Sequence, residues 1–329
     1  MRFGPVPLDQ ALGGVLAHSV DLTDGRLRKG HVLGAPDLAA LAAAGRTEIT
    51  VARMEPGDVA EDDAALELAR ALVSGPGLRL APVGTGRVNI HAEGPGVVRI
   101  DAPRIHAANA ADPMITIATV PEWQRVTAGT MVATVKIIAW AVGGAALARA
   151  CAAAAGALGH CAPVMSQAVL IETTVGDGPP LAKGLRVTGQ RLARLGVTLA
   201  HHVVVPHRID ALAAALAAAP EAGLVLILTG SATSDPRDVA PEAVRAAGGT
   251  VDHVGMPVDP GNLLFLGRFR DRPLIGLPGC ARSPALNGAD WVLERLVCGV
   301  AVTPADIQAM GVGGLLMEIP TRPQPRDPA

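Results

Sequence analysis

From residue 164 onward the sequence alternates short apolar runs with helix-patterned segments, and this alternation constrains the fold more than any other feature. "SQAVLIET", "VTLAHHVVVP" and "GLVLILTG" read as strands. "LAKGLRVTGQRLARLG", "RIDALAAALAAAP" and "PEAVRAAGG" read as helices, the first weakened by Gly184 and Gly189. Apolar strands joined through helices imply an α/β fold with a mostly parallel sheet covered on both faces. "TVDHVG" follows as a short strand, and "LLFLGRF" and "RPLIGLPG" as a hairpin around an Arg-Asp-Arg turn. "DWVLERLVCG" closes this block, residues 164–312, as a helix.

Two other blocks precede it. Residues 1–78 read as a small mixed α/β module. β-like pieces break at Thr23-Asp24-Gly25, a helix runs through "PDLAALAAAG", "EITVARM" is a strand, and "EDDAALELARALVSG" is an acid-started helix. Residues 79–163 are β-rich: "RVNIHAEG", "GVVRIDA", "MITIATV" and "GTMVATVKIIAWAV" are strands punctuated by Gly-Pro-Gly clusters. Residues 313–329 end in "PTRPQPRDPA", which reads as a mobile Pro-rich tail.

Composition excludes several function classes. The 329 residues are 50% hydrophobic and 18% charged, enough apolar material for a real core. Aromatics are 2% with no Tyr, and the formal net charge is −2. A base-stacking or phosphate-tracking surface needs the opposite, so no nucleic-acid partner is expected. Any anionic ligand must be held by a local site. Cys151, Cys161, Cys280 and Cys298 form no CxxC pair and no finger-like spacing with His, so they read as reduced thiols of a cytoplasmic protein. The N-terminus lacks a signal-peptide pattern. Residues 137–159 have the length of a membrane span, but they are mostly Ala and Gly and carry Arg149. They read as a strand end and a buried alanine-rich helix, so no membrane partner is expected.

In open α/β sheets ligands sit at the carboxyl ends of the strands. Here those ends are "ETTVGDGPPLAKG", "VVVPHRID", "LTGSATSDPRDVAP" and "LPGCARSPALNG". Small residues at Gly230, Ser231 and Gly279 allow close ligand approach, and their amides are suited to phosphate oxygens. Lys183, Arg237 and Arg282 are suited to neutralising a phosphate. Asp238 either anchors Mg²⁺ or a pterin NH, or simply caps the helix that begins near Pro241. Cys280 is either a reactive thiol at a helix start or a small residue that leaves room for a ligand. His201-His202 read as structural strand residues, and Asp62-Asp63 as compensation of a helix dipole.

"LTGSATSDPRDVAPEAV" resembles the segment of the molybdopterin-binding fold that commonly reads T-G-G-T-G followed by R-D-V-T-P-E-A. Molybdopterin adenylyltransferases and molybdopterin molybdotransferases share that fold. "VDPGN", residues 258–262, resembles their PGxP-type loop, and "LPGCARSPALNGADWVLERL" their LPGNP-type loop and last helix. The wording is closest to a bacterial molybdopterin-binding subgroup, some of whose relatives are fused to a molybdenum-cofactor nucleotidyltransferase. Residues 25–59 are similar, more weakly, to the segment leading into molybdotransferase domains.

The resemblance implies a three-layer α/β C-terminal domain whose ligand is molybdopterin or its nucleotide adduct, with Mg²⁺ as an accompanying ion. It implies contacts from Thr229, Gly230, Ser231, Ala232, Arg237 and Asp238 of the first loop, and from Pro260, Gly261 and Asn262 of the second. Pro278, Gly279, Cys280, Arg282 and Ser283 of the third loop join them, together with Lys183. Asp238 holds the catalytic and metal-ligand position.

Departures from the pattern accompany it. Ser231 replaces the second Gly of T-G-G, Cys280 and Ala281 replace the Asn-Pro of LPGNP, and His207 stands where a second acid is expected. An imidazole is a poor ligand for a hard cation. The implied role is molybdenum-cofactor biosynthesis or delivery, including insertion of molybdate into adenylated molybdopterin. The competing role is a non-catalytic carrier serving a cytidylyltransferase or a molybdoenzyme. A homo-oligomer, in the first place a dimer, is expected from the fold.

Overall fold

Two compact units emerge from the computed structural model, which describes residues 1–22, 25–176 and 182–316. The first comprises Met1–Glu93, Arg99–Glu122 and Gly129–His160. It opens with an antiparallel sheet in the order Arg2–Pro7, Glu48–Arg53, Val15–Leu16. The helix Ala35–Ala43 has Pro36 in its first turn and buries Leu41, which joins Leu16, Leu33 and Val51 in a small core. Thr23 and Asp24 of the expected turn lie outside the described residues.

In the same unit, the helix Glu61–Leu72 buries Ala64, Ala65, Leu68, Ala69 and Leu72 at helical spacing. Asp62 does more than offset the helix dipole, because its Oδ1 accepts the Gly86 amide at 2.6 Å. The β-rich stretch forms an antiparallel sheet in the order Ile115–Thr119, Met131–Ile137, Arg87–Ala92, Leu78–Gly84. The alanine-rich segment is the helix Gly144–Ala154, with Leu147 and Ala150 buried and Arg149 exposed. Among the described residues no helix is long and apolar enough to cross a membrane.

The second unit comprises Gly94–Val98, Trp123–Ala128 and Cys161–Ala329. Its elements are β1 (Gln167–Thr174), α1 (Ala182–Ala193), β2 (Thr198–Pro206), α2 (Ile209–Ala218), β3 (Leu224–Leu228) and α3 (Val239–Ala246). They continue as β4 (Thr250–Val254), β5 (Phe265–Phe269), β6 (Arg272–Leu277), α4 (Gly288–Val297) and α5 (Pro304–Ala309). The strands form one six-stranded sheet in the order β2-β1-β3-β6-β5-β4. β2, β1, β3 and β6 are parallel, while β5 and β4 run antiparallel to their neighbours.

Strand periodicity sends alternate side chains to opposite faces. Ala168, Leu170, Leu224, Leu226 and Leu228 pack with Leu192 of α1, with Val292, Leu293 and Val297 of α4, and with Ile307 of α5. Val169, Ile171, Val225 and Ile227 pack on the other side with Leu212 and Leu216 of α2 and with Ala240, Ala243 and Val244 of α3. The sheet therefore lies between two helical layers. This explains why all five residues of β3 are apolar and fully buried.

Short segments from before residue 161 complete the first of these cores. Val97 is fully buried in it and Trp123 packs against it. Gly96 and Val97 pair with Val126 and Arg125, and Arg125 Nε meets a Glu294 carboxylate oxygen of α4 at 2.9 Å. At the other end, residues read as the start of the tail are tied in. Asp259 N donates to Gly314 O at 2.8 Å, and Leu316 N donates to Asp259 O at 2.9 Å. Residues 317–329, including the Pro-rich stretch, lie outside the described residues.

Of the histidine pair on the edge strand β2, His202 Nε2 lies 3.0 Å from Oε2 of the buried Glu172, and His201 is exposed. His202 thus has the structural contact expected of one of the pair.

Candidate functional site

β3 and β6 are neighbours in register, Leu228 opposite Leu277. The next residues, Thr229 and Pro278, therefore leave the sheet side by side, and two loops separated by some fifty residues of sequence start together. Arg282 joins them, since its Nη2 donates to Thr229 O at 2.9 Å. Its Nε is buried and, among the described residues, has no partner. Gly279 opens a short 3₁₀ turn, Gly279–Arg282, whose end is closed by Ser283 N donating to Cys280 O. Gly279 is exposed and, among the described residues, a Cβ there would meet nothing closer than Arg282 Nη1 at 3.9 Å.

The residue that sets the shape of this second loop is Arg191 on α1. It donates to Ala281 O at 2.6 Å, Ser283 O at 2.7 Å and Ala285 O at 3.0 Å, and its Nε binds Asp290. A buried guanidinium is tolerated only when its donors are satisfied, and here the loop carbonyls satisfy them. Asp290 in turn accepts the Asn287 amide at 2.9 Å, closing a capping box at the start of α4. Asn287 Nδ2 lies 3.0 Å from Cys280 Sγ, so the thiol is held against the loop's own scaffold. Sequence reasoning missed Arg191. The available signal was its position on the buried face of α1 with Gly184, Val187, Thr188 and Leu192.

The first loop is built differently. Gly230 N donates to the Thr173 hydroxyl at 2.8 Å, and that hydroxyl lies 2.8 Å from His207 Nδ1. The Gly230 amide, a predicted phosphate donor, is thus committed to β1. Its lack of a side chain also has a reason within the sheet, since a Cβ would meet Thr173 O at 2.6 Å. Asp238 caps α3: Oδ1 accepts Val239 N at 2.7 Å, and Oδ2 accepts Ser234 N at 3.0 Å. Of the two readings open for Asp238, the cap is present in full. Ser231 and Ala232 are exposed, and Arg237 extends outward with its Nε 3.9 Å from Asp235. Lys183 is exposed in the first turn of α1.

The predicted loop of Pro260, Gly261 and Asn262 serves the start of α4. Gly288 N donates to Pro260 O at 2.8 Å. Gly261 packs so closely there that a Cβ would lie 2.9 Å from Gly288 N. Asn262 turns back on its own loop, with its carbonyl accepting Met256 N at 2.9 Å. Among the described residues no hydrogen bond joins this loop to residues 229–238. The structure therefore brings together Thr229, Gly230, Pro278, Gly279, Cys280, Arg282 and Ser283, with Pro260 and Gly261 one step away behind Gly288. Arg237 and Lys183 are not tied into this group.

Among the described residues, the donors near these loops are a poor match to a protein-held Mg²⁺. Among the described residues no three His, Cys, Asp or Glu side chains gather to hold a metal. Both oxygens of Asp238 already accept backbone amides. His207, at the position of the second acid, offers nitrogen to an ion that prefers oxygen. Behind the loops, burial and the neighbouring Asp290 push the Glu294 carboxyl up to about 7, against the opposing pull of Arg125. Burial likewise pushes the Cys298 thiol up to about 12.

Residues 186–296, which hold both joined loops, match the family model described as a probable molybdopterin binding domain, and residues 5–53 match a domain of unknown function. No curated protein matches the chain. Among solved structures, the molybdopterin biosynthesis moeA protein from Pyrococcus horikosii is similar at 13% identity and TM-score 0.32, covering 91% of this chain and 75% of that one. Molybdenum cofactor biosynthesis protein B is similar at 14% identity and TM-score 0.29, covering 41% and 88%. A molybdopterin biosynthesis protein from Mycobacterium abscessus is similar at 16% identity and TM-score 0.26, covering 41% and 92%. Likenesses this slight bear no weight. The matched residues 186–296 lie wholly within the second unit.

Proposed function

We propose that this chain binds molybdopterin, or its nucleotide adduct, at the carboxyl ends of β3 and β6, and that it acts in the biosynthesis or delivery of the molybdenum cofactor. One observation carries the reading. The Arg282 guanidinium, on Thr229 O, joins two small-residue loops inside the segment that matches a probable molybdopterin binding domain. Exposed Ser231 and Gly279 flank that junction, where a ligand meets backbone rather than bulky side chains. A guanidinium beside such a junction favours an anionic group.

The chemistry assigned to the chain on this reading is recognition. Arg282 supplies charge, the loops supply shape, and Asp238 holds the first loop at the start of α3. If the bound form is adenylated molybdopterin, the step served is insertion of molybdate with release of AMP. No step of the reading runs through Mg²⁺. A second reading has its own support. His207 is hydrogen-bonded to Thr173 in place of an acid, which favours a carrier that hands the cofactor to a cytidylyltransferase or molybdoenzyme. A homodimer and a cytoplasmic location belong to the same proposal, as does kinship with the bacterial subgroup fused to nucleotidyltransferases.

The test is anaerobic binding of molybdopterin and of its AMP and CMP adducts to the purified chain, followed by molybdate and Mg²⁺. Binding with AMP release supports a molybdotransferase, and binding without release supports the carrier. If no form binds, the proposal is wrong.

A further inference from the structure

We infer that His207 is a hydrogen-bond donor for an anionic oxygen of the ligand, presenting Nε2–H in a tautomer fixed by Thr173; this rests on the binding site proposed above. Thr173 is 2% exposed, and its oxygen receives the Gly230 N–H at 2.8 Å. A hydroxyl has one hydrogen to give, and the only further partner among the described residues is His207 Nδ1 at 2.8 Å. If the hydroxyl donates to Nδ1, every buried group is satisfied, and the neutral ring carries its proton on Nε2. In the opposite arrangement Nδ1–H donates to an oxygen that already accepts, and a buried hydroxyl hydrogen has no acceptor. That arrangement is disfavoured roughly tenfold or more.

The ring is well placed to use that proton. The His207 amide donates to Thr174 O at 2.8 Å, which fixes the residue at the carboxyl end of β1 beside the Gly230 loop. The side chain is half-buried, and among the described residues Nε2 has no partner. A carboxylate at this position would offer only acceptors and would repel a phosphate. The imidazole offers a donor on the same edge as the Arg282 guanidinium. The ligand class this combination selects is a phosphate-type oxyanion.

The experiment uses the full chain with ¹⁵N-labelled histidine. Long-range ¹H–¹⁵N correlation at about pH 8, above the ordinary imidazole range, is expected to show His207 protonated on Nε2. The isosteric Thr173→Val variant is expected to show both tautomers. Binding of inorganic phosphate and of molybdopterin is then compared in two substitutions. The Gln amide nitrogen reaches the place of Nε2, so His207→Gln is expected to bind within about threefold of the unaltered chain. Asn replaces only Nδ1, so His207→Asn is expected to bind about tenfold more weakly or worse. An Nδ1–H tautomer in the unaltered chain overturns the inference, and so does His207→Asn binding as tightly as the unaltered chain. If phosphate perturbs His207 but no form of molybdopterin binds, the proposed function falls and this inference stands. If neither ligand is bound, this inference falls as well.

Discussion

Arg191 and Asp290 form an ion pair that is almost wholly buried, 5% and 3% exposed, between α1 and α4. The remaining donors of Arg191 hold the carbonyls of Ala281, Ser283 and Ala285, so one side chain fixes the loop that carries Gly279, Cys280 and Arg282. Removing the guanidinium strands a buried carboxylate and loop carbonyls that have lost their donors. Arg191→Leu is expected to lose about 3–5 kcal/mol, read from urea unfolding curves. A loss below about 1 kcal/mol would mean that the loop has other supports.

Gly230 and Gly279 stand at comparable places in the two loops but face different surroundings. A Cβ at Gly230 would lie 2.6 Å from Thr173 O, whereas at Gly279 it would meet nothing among the described residues closer than 3.9 Å. Gly230→Ala is therefore expected to cost about 1–3 kcal/mol through forced backbone displacement. Gly279→Ala is expected to stay within about 0.5 kcal/mol, as at an unconstrained surface position. The pair separates folding from recognition. Should Gly279→Val leave both stability and molybdopterin affinity unchanged, that loop does not line the ligand.

Much of the second unit was legible because its central strands are buried on both faces. A run such as Leu224–Leu228 has no other comfortable place than the centre of a covered sheet. The Arg-Asp-Arg hairpin was readable from its two flanking apolar runs, and the turn residues Arg270 and Asp271 do take positive φ. What escaped depends on partners distant in sequence. Arg191 differs from the exposed cations of α1 only in what lies across from it, some ninety to a hundred residues away. The Gly230–Thr173–His207 chain depends on the register of β1 against β2. The burial of Val97 in a core built mostly from residues beyond 164 has no signature in its own neighbourhood.

The cysteines should differ sharply in reactivity. Cys298 is 5% exposed, and burial raises its thiol to about 12, so it holds almost no thiolate at neutral pH. Burial raises Cys151 as well, while Cys280 is half-buried in the candidate loop. Alkylation of the folded chain near pH 8, followed by mass spectrometry, is expected to leave Cys298 unmodified. In denaturant all four should react. Rapid labelling of Cys298 in the folded chain would show that the α4 core opens readily.

Glu294 gives the stability of this unit a pH dependence of predictable sign. Its carboxyl is mostly buried, faces Arg125 at 2.9 Å, is repelled by Asp290 and is drawn the other way by Arg194. Burial dominates and sets the folded value near 7, against an ordinary value of 4.5. Between those two values the folded chain holds a proton that the unfolded chain has released. Stability contributed by the protonated form is complete below about pH 4.5 and is lost as pH rises through about 7. The swing is about 3 kcal/mol, on the order of 1.4 kcal/mol for each unit of displacement. The informative quantity is a difference between two chains. Glu294→Gln keeps an acceptor for Arg125 and cannot ionise. Relative to the unaltered chain it is expected to gain stability progressively from pH 5 to pH 8, followed by urea midpoints at each pH. A difference that stays constant across that window would place the Glu294 carboxylate in a far more polar setting than its burial implies.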